Sequence, residues 1–355
     1  MIKKPAEMIN TENRFRVLIA GYPGMGKTTL ALSAPKPLLI DTDFGANRIV
    51  DRLKTDCIQP NTYQELLNDL TPENLKDYET IVIDTGGKLL ELAKPHAIKM
   101  DSKNSKKDGS LSIQGFGAVG TMFSDLVYKI HHDLRKHLVV IFHAVEEKQG
   151  EDTKIRIMVD GSTKNKIWQE MDVGGFIEKI NGKRTIGFEP NERYFAKRTQ
   201  GVNATYNIPE LPNGVTGDFL TKLFETMDNY TKEIGAKAQE QQKQCAELVK
   251  QYAEIINNMT TENTNEIMEQ IKSIDNHILT SEKEIKAHFA DKIKELNMQW
   301  NKETKQYEPK QEVQNDKDMA TEMMSFIKVA QEAIKEPDKQ YKFKCPLCGG
   351  EAVGG

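Results

Sequence analysis

Long apolar runs are missing from this chain. No window approaches the roughly 20 apolar residues that a membrane-spanning helix needs. Residues 1–7 pass straight into polar sequence, without the apolar core of a signal peptide. A cytoplasmic protein with no membrane partner is therefore the expectation. Cysteine is scarce too: four in 355 residues, with Cys57 and Cys245 far apart, do not build a disulfide framework and fit a reducing compartment. Strong charge of either sign is also absent. A formal net charge of −4 gives no overall attraction to nucleic acid, so any DNA contact has to come from local basic loops. No repeat of fixed period is evident, which argues against a solenoid.

What is present is a folded chain with a polar excess, 38% hydrophobic and 29% charged, whose surplus of charge belongs in an exposed or elongated region. Its 355 residues hold one full α/β domain and a smaller appendage, since domains commonly run roughly 100 to 200 residues. Residues 15–20, 37–41, 80–84 and 137–142 are rich in Val, Ile and Leu without alternation, as strands buried on both faces are. Helical stretches begin at Lys27, Tyr63 and Lys88 and fill 116–136, so the pattern is βαβ and the sheet mostly parallel. Short strand-like runs at 154–159, 175–180, 185–189 and 193–197, separated by Gly, Asn and Pro, predict an antiparallel extension. His131, His132 and His137, on a polar helix and its exit, read as solvated.

A Pro and Gly cluster at 209–217 marks a boundary, followed by a helix from Asp218 to about Tyr230. Residues 231–336 are rich in Lys, Glu and Gln and read as a charged helical arm, on the surface or in a coiled coil. Within it Ile285, Phe289, Ile293 and Leu296 recur at helical spacing behind Ser281 and Glu284, which have the spacing of a capping box. Residues 300–307 read as a small hairpin or a loop. The expected organisation is thus 1–230, 231–336 and a tail at 337–355.

The densest chemistry lies at Gly21, Pro23, Gly24, Met25, Gly26, Lys27, Thr28 and Thr29, a Gly-x-x-x-x-Gly-Lys-Thr run behind a hydrophobic strand. Glycines let the backbone curl so that successive N–H groups face a β-phosphate, and the following helix adds its positive end. Lys27 then bridges the β- and γ-phosphates of ATP, and the Thr28 hydroxyl binds Mg²⁺. Asp84 ends the run Thr-Ile-Val-Ile-Asp and, at a strand end beside such a loop, is the second expected Mg²⁺ residue.

The order of this loop, then Ile-Asp-Thr-Asp-Phe-Gly at 40–45, Ile-Val-Ile-Asp-Thr at 81–85 and Val-Val-Ile-Phe-His at 139–143 resembles the ATPase core of RecA and its relatives. It is most similar to the short RecA-like ATPases of bacteriophages, some of which act in single-strand annealing. The resemblance spans about residues 14–201. It implies a RecA-like P-loop NTPase core of α/β class: a mostly parallel sheet with an antiparallel extension, joined here to the helical arm. It also implies that Asp43, one methylene shorter than the family's glutamate, activates the attacking water, or else that Asp41 and Asp43 simply end a strand and open a turn. His143 matches a polar γ-phosphate sensor, with a structural strand-end histidine as the alternative. Lys197 and Arg198 resemble, with adjacent rather than alternating cations, a stretch that reaches a neighbouring subunit's nucleotide; an exposed basic turn is the alternative. A homo-oligomer follows from the first reading.

Two loops offer basic residues to single-stranded DNA, one with Lys103, Lys106 and Lys107 and one with Lys148, Lys154, Arg156, Lys164 and Lys166, the second blunted by nearby acids; flexible solvated loops are the alternative reading of each. At the far end Cys345 and Cys348 form a zinc-knuckle-like turn, half of a candidate Zn²⁺ site whose other two ligands come from a longer chain or from a second copy, or else the pair stays unmetallated. Two functions follow: an ATPase acting on DNA in phage recombination, annealing or repair, or a nucleotide-dependent scaffold or loader that switches a protein partner through the helical arm.

Overall fold

The computed structural model describes residues 12–149, 152–161, 163–211 and 217–310, together with 321, 323–325, 327–328, 331, 341–344 and 351–354. Internal packing divides the chain into two units, Met1–Ala238 and Gln239–Gly355.

The first unit contains β1 (Arg16–Gly21), α1 (Lys27–Ala31), β2 (Pro37–Asp41), β3 (Cys57–Ile58), α2 (Tyr63–Asp69), β4 (Thr80–Asp84), α3 (Gly86–Met100), α4 (Ile113–Tyr128), β5 (His137–Gln149), β6 (Asp152–Ile157), α5 (Thr163–Glu170), β7 (Val173–Ile180), β8 (Lys183–Gly187) and β9 (Thr205–Asn207). The strands form one nine-stranded sheet in the order β3-β2-β4-β5-β1-β7-β8-β9, with β6 paired to β5. From β3 to β7 every neighbouring pair is parallel.

The unbroken apolar runs have a direct cause. Along β1, Leu18 and Ala20 pack with Ile40, Ile83 and Val140 under α2 to α5, through side chains such as Leu66, Leu89, Phe123 and Ile167. Val17 and Ile19 turn to the other face and pack with Leu39, Val82 and Val139. That face is covered by Leu30 and Ala31 of α1 and by Leu220, Leu223 and Phe224 of α6 (Phe219–Asn257). With neither face open to water, neither set of alternating positions can be polar. Polar residues therefore collect at the strand ends.

Several expectations shift. The run at 175–180 belongs to β7, which is parallel to β1 on one side and antiparallel to β8 on the other, so at that edge of the sheet the antiparallel extension starts with the β7–β8 pair. Residues 193–197 make isolated bridges, Tyr194 to Ile155 and Lys197 to Gly174, instead of a strand. Strand β5 continues past Phe142 to Gln149 and turns into an antiparallel hairpin with β6.

The second unit is more than a charged arm. The C-terminal half of α6, α7 (Thr264–Lys272), α8 (Ser281–Glu295) and a hairpin of β10 (Met298–Asn301) with β11 (Gln306–Pro309) share a core. Ile256, Ile267, Ile271, Ile285, Phe289 and Met298 are buried in it. Each helix contributes one narrow apolar stripe, which is why the composition looks too polar for a core. Asn265 fixes the hairpin from α7, donating to the Tyr307 carbonyl at 3.0 Å and accepting from the Tyr307 N–H at 2.7 Å. Ser281 does not form the expected capping box: its Oγ accepts from the Ile278 N–H at 2.9 Å, and Glu284 takes the Thr280 hydroxyl. Backbone strands β12 (Tyr341–Lys344) and β13 (Glu351–Gly354) pair with each other. Cys345 and Cys348 lie outside the described residues. Among the described residues no helix is long and apolar enough to cross a membrane.

His137 is not solvated as expected. It is buried, its ring stacked on Phe224 at 4.3 Å and on Phe15 at 5.8 Å, and its Nδ1 accepts the Phe15 N–H at 3.0 Å. Burial pushes its pKa down to about 4. The folded chain thus keeps this ring neutral while the unfolded chain protonates near the ordinary histidine value of about 6.5, so the unfolded state binds more protons between those limits. The contribution, at most about 3 kcal/mol, is complete above pH ~6.5 and is lost as pH falls toward 4. Urea unfolding at pH 7 and pH 4.5 is expected to show a shallower pH dependence in His137→Phe than in the parent chain; equal dependence in both contradicts this account.

Candidate functional site

The carboxyl ends of β1, β4 and β2 stand side by side with β5 between β1 and β4. The register sets Gly21 opposite His143 and Asp84 opposite Asp41. In a parallel sheet this edge is where ligands bind, because loops and helix N-termini gather there. A cavity of about 410 Å³ opens at that edge, lined by Pro23, Gly24, Gly26, Lys27, Thr28 and Thr29 together with Asp41, Asp43, Arg48, Asp84 and His143. Gly21 and Met25 do not line it. A Cβ on Gly21 would meet the Ile177 carbonyl at 3.3 Å, and Met25 packs toward the core under α1 and α6.

The loop curls through two left-handed glycines, Gly24 at φ 78° and Gly26 at φ 75°. Gly26 is also the N-cap of α1 and offers no side-chain cap to it. The first N–H groups of α1 thus remain available to an anion. Lys27 is only 6% exposed and its Nζ donates to the Tyr22 carbonyl at 2.8 Å. Burial lowers its pKa, and Asp84 pulls it back up. The Thr28 hydroxyl donates to Asp84 Oδ2 at 2.6 Å. Burial raises the pKa of Asp84 most; Thr28 and Lys27 lower it, and Asp43 and Asp41 add to the rise. A hydroxyl and a carboxylate in contact, with an ammonium beside them, are the donor set that suits Mg²⁺ and a phosphate chain.

The two acids at the end of β2 part company. Asp41 is 2% exposed and fully engaged: Oδ1 accepts from Gly45 N–H at 2.9 Å, and Oδ2 accepts from Ala46 N–H at 2.9 Å and from Gln59 Nε2 at 2.7 Å. Its work is to fold the turn that presents Asp43. The Thr42 hydroxyl ties that turn to Thr85, donating to its carbonyl at 2.9 Å. Asp43 itself is exposed, faces the cavity and pairs with Arg48 at 3.1 Å. Nothing in the sequence pattern singles out Arg48 or Gln59, because both act through turn geometry. His143 lies on the same cavity wall; burial first, and then Lys27, lowers its pKa, so the ring is neutral near pH 7. Its Nδ1 is buried and, among the described residues, has no hydrogen-bond partner.

Lys197 and Arg198 stand elsewhere. Lys197 Nζ donates to the carbonyls of Trp168 and Gln169 at 3.4 and 3.3 Å and to that of Met171, the end of α5 and the residue beyond. A cation there satisfies carbonyls that the helix leaves open. Arg198 is exposed and pairs with Glu189 at 3.6 Å. Among the described residues no three His, Cys, Asp or Glu side chains gather as a metal site.

Thr28→Val and Asp84→Asn are each expected to raise the Mg²⁺ concentration needed for nucleotide binding by about tenfold. The double variant should lose little more than either alone, because residues that act as a pair are not additive. Titration of a fluorescent ATP analogue with Mg²⁺ reads this, and independent, additive losses contradict a shared ion.

Comparison with curated proteins gives no match. Residues 13–199, just over half of the chain, match the family described as AAA domain. That span contains every residue lining the cavity, and the chain belongs to this family of nucleotide-binding ATPases.

Proposed function

We propose that the chain is a Mg²⁺-dependent ATPase that acts on single-stranded DNA as a homo-oligomer, in recombination, annealing or repair of the kind served by RecA-like phage ATPases. The observation that carries the ATPase reading is the convergence of Lys27, the Thr28–Asp84 contact, Asp43 and His143 on one cavity. Bound Mg²⁺–ATP supplies the phosphoanhydride and the metal charge that eases its cleavage. Lys27 leaves the Tyr22 carbonyl for the phosphates, a short swing because both lie on the same loop. Asp43, freed from Arg48, orients the attacking water as a carboxylate base. Neutral His143, its Nδ1 buried, has its other ring nitrogen left to donate or accept at the reacting end, according to the tautomer.

The DNA reading rests on a groove of about 510 Å³ between β6 and α5, lined by Arg156, Lys164, Trp168, Phe195 and Lys197 among others. Phe195 is 47% exposed and stands edge-on to Trp168 at 5.0 Å. An exposed ring among cations suits a single strand, whose bases stack and whose phosphates pair. β6 follows directly on β5, the strand that carries His143, so groove and cavity share one hairpin. Arg198, the more exposed of the two adjacent cations, is the candidate for reaching a neighbouring subunit. The second unit, folded on its own core with Trp300 41% exposed, favours one alternative, a switch for a protein partner.

ATP turnover with and without single-stranded DNA separates the two. The proposal predicts stimulation by DNA that Phe195→Ala abolishes with basal turnover unchanged; indifference to DNA sinks it and leaves the protein-directed switch. Asp43→Ala should still bind ATP while turnover falls by about 100-fold, within the range of a lost general base. If Arg198 works across subunits, mixing Arg198→Ala with Lys27→Ala chains restores part of the turnover that each lacks, and no recovery in an exchanging assembly excludes that role.

A further inference from the structure

Arg184 lies far along the chain from the phosphate loop, yet its side chain reaches that loop. The sheet register explains how. On β7, Ile177 stands opposite Gly21 of β1, and on β8, Ile186 pairs with Ile177 and Arg184 with Lys179. Because β7 runs parallel to β1, positions beyond Ile177 lie past the end of β1, on the side where the loop stands. Ile186 packs in the same core as Leu30 and Ala31 of α1. Side chains two apart share a face, so Arg184 projects on the face of α1, beyond the sheet edge.

The contact itself is tight. A Cβ built on Gly26 would stand 2.3 Å from Nη1 of Arg184. Gly26 is required to be glycine by its left-handed φ of 75°, and the near approach of the Arg184 guanidinium, a flexible side-chain end, marks where that cation lies beside the loop. Arg184 is half-buried, and among the described residues its guanidinium forms no ion pair and no hydrogen bond. A half-buried cation without a partner is costly unless an anion meets it. The anion that the adjoining loop suits is a phosphate chain.

Orientation then limits which phosphates it can meet. Asp84, His143 and Asp43 stand on the β5, β4 and β2 side of β1, whereas Arg184 comes from the β7 and β8 side. The first group belongs to the reacting end of the nucleotide, so Arg184 is left with the end that does not react. We propose that Arg184 is a nucleotide-binding residue that clamps the α- and β-phosphates of a nucleoside di- or triphosphate from β8, opposite the Mg²⁺ side; this rests on the nucleotide reading of the cavity. Its planar fork can hold two phosphate oxygens at once. Since those phosphates are shared by ATP and ADP and change little in the transition state, the contact strengthens binding without accelerating cleavage.

The test is calorimetric titration of the full chain with Mg²⁺–ATP and Mg²⁺–ADP, accompanied by steady-state turnover. Arg184→Gln is expected to weaken both nucleotides equally, by about tenfold, as for loss of one charge-assisted contact, with kcat at saturation kept. Arg184→Lys, which retains the charge without the fork, should fall between. Because the guanidinium has no ion pair or hydrogen bond among the described residues, the unfolding midpoint of the nucleotide-free protein should hold, while the rise in midpoint on adding ADP shrinks. Unchanged affinity for both nucleotides in Arg184→Gln overturns the clamp, and a loss confined to ATP overturns its placement. Lys27→Ala in the same titration keeps the two claims apart: undiminished affinity there defeats the nucleotide reading itself, whereas undiminished affinity in Arg184→Gln alone removes only the clamp.

Discussion

Burial of a carboxylate beside a buried ammonium governs this site, and the hydrogen bond from the Thr28 hydroxyl to Asp84 at 2.6 Å is where the opposing costs meet. Asp84 is pushed toward its protonated form by burial and by Asp43 and Asp41, and is held ionised by Thr28 and Lys27. Lys27 is pushed toward its neutral form by burial and held charged by Asp84. Each charge persists because the other is there. A divalent cation and a polyanion brought together would relieve both costs, which is why we propose the pair as a receptor for a metal–phosphate complex.

The sheet makes this arrangement possible. Strands covered on both faces leave their carboxyl ends as the places where charge can stand, and the strand order brings three such ends together around β5. The site then divides its acids by task. Asp41 is consumed by Gly45, Ala46 and Gln59, so that Asp43, two residues on, is presented to the cavity in a fixed turn. Arg48 holds Asp43 at 3.1 Å in an exposed pair, a weak restraint that water and a bound anion can displace.

Much of this was legible in the sequence, for reasons that are themselves physical. A phosphate loop needs glycines at fixed spacing before Lys27 and Thr28, and a buried parallel strand needs an unbroken apolar run before Asp84, so both leave a local signature. Arg184 left none, since its relation to Gly26 arises from the register of β7 and β8 across a distance in sequence that no motif spans. β7 is legible only on one side: its short, Gly-rich run reads as a hairpin strand, which it is toward β8, while its parallel pairing with β1 leaves no local signature. His137 was misread as solvated because its neighbours in sequence are polar, whereas its neighbours in space are Phe15 and Phe224. The core of the second unit was hidden for a similar reason: Ile256, Ile271, Phe289 and Met298 belong to separate elements, and no single window contains enough of them to announce a core.

The comparison with the AAA domain family covers residues 13–199 and thus the whole cavity, and the account stands or falls on whether that cavity turns over ATP. The most direct measurement is Mg²⁺-dependent phosphate release from ATP by the full chain and by Lys27→Ala. The account predicts turnover that vanishes on chelation of Mg²⁺ and drops to background in Lys27→Ala, with the fold unchanged by circular dichroism. Turnover in Lys27→Ala equal to that of the parent chain would contradict it.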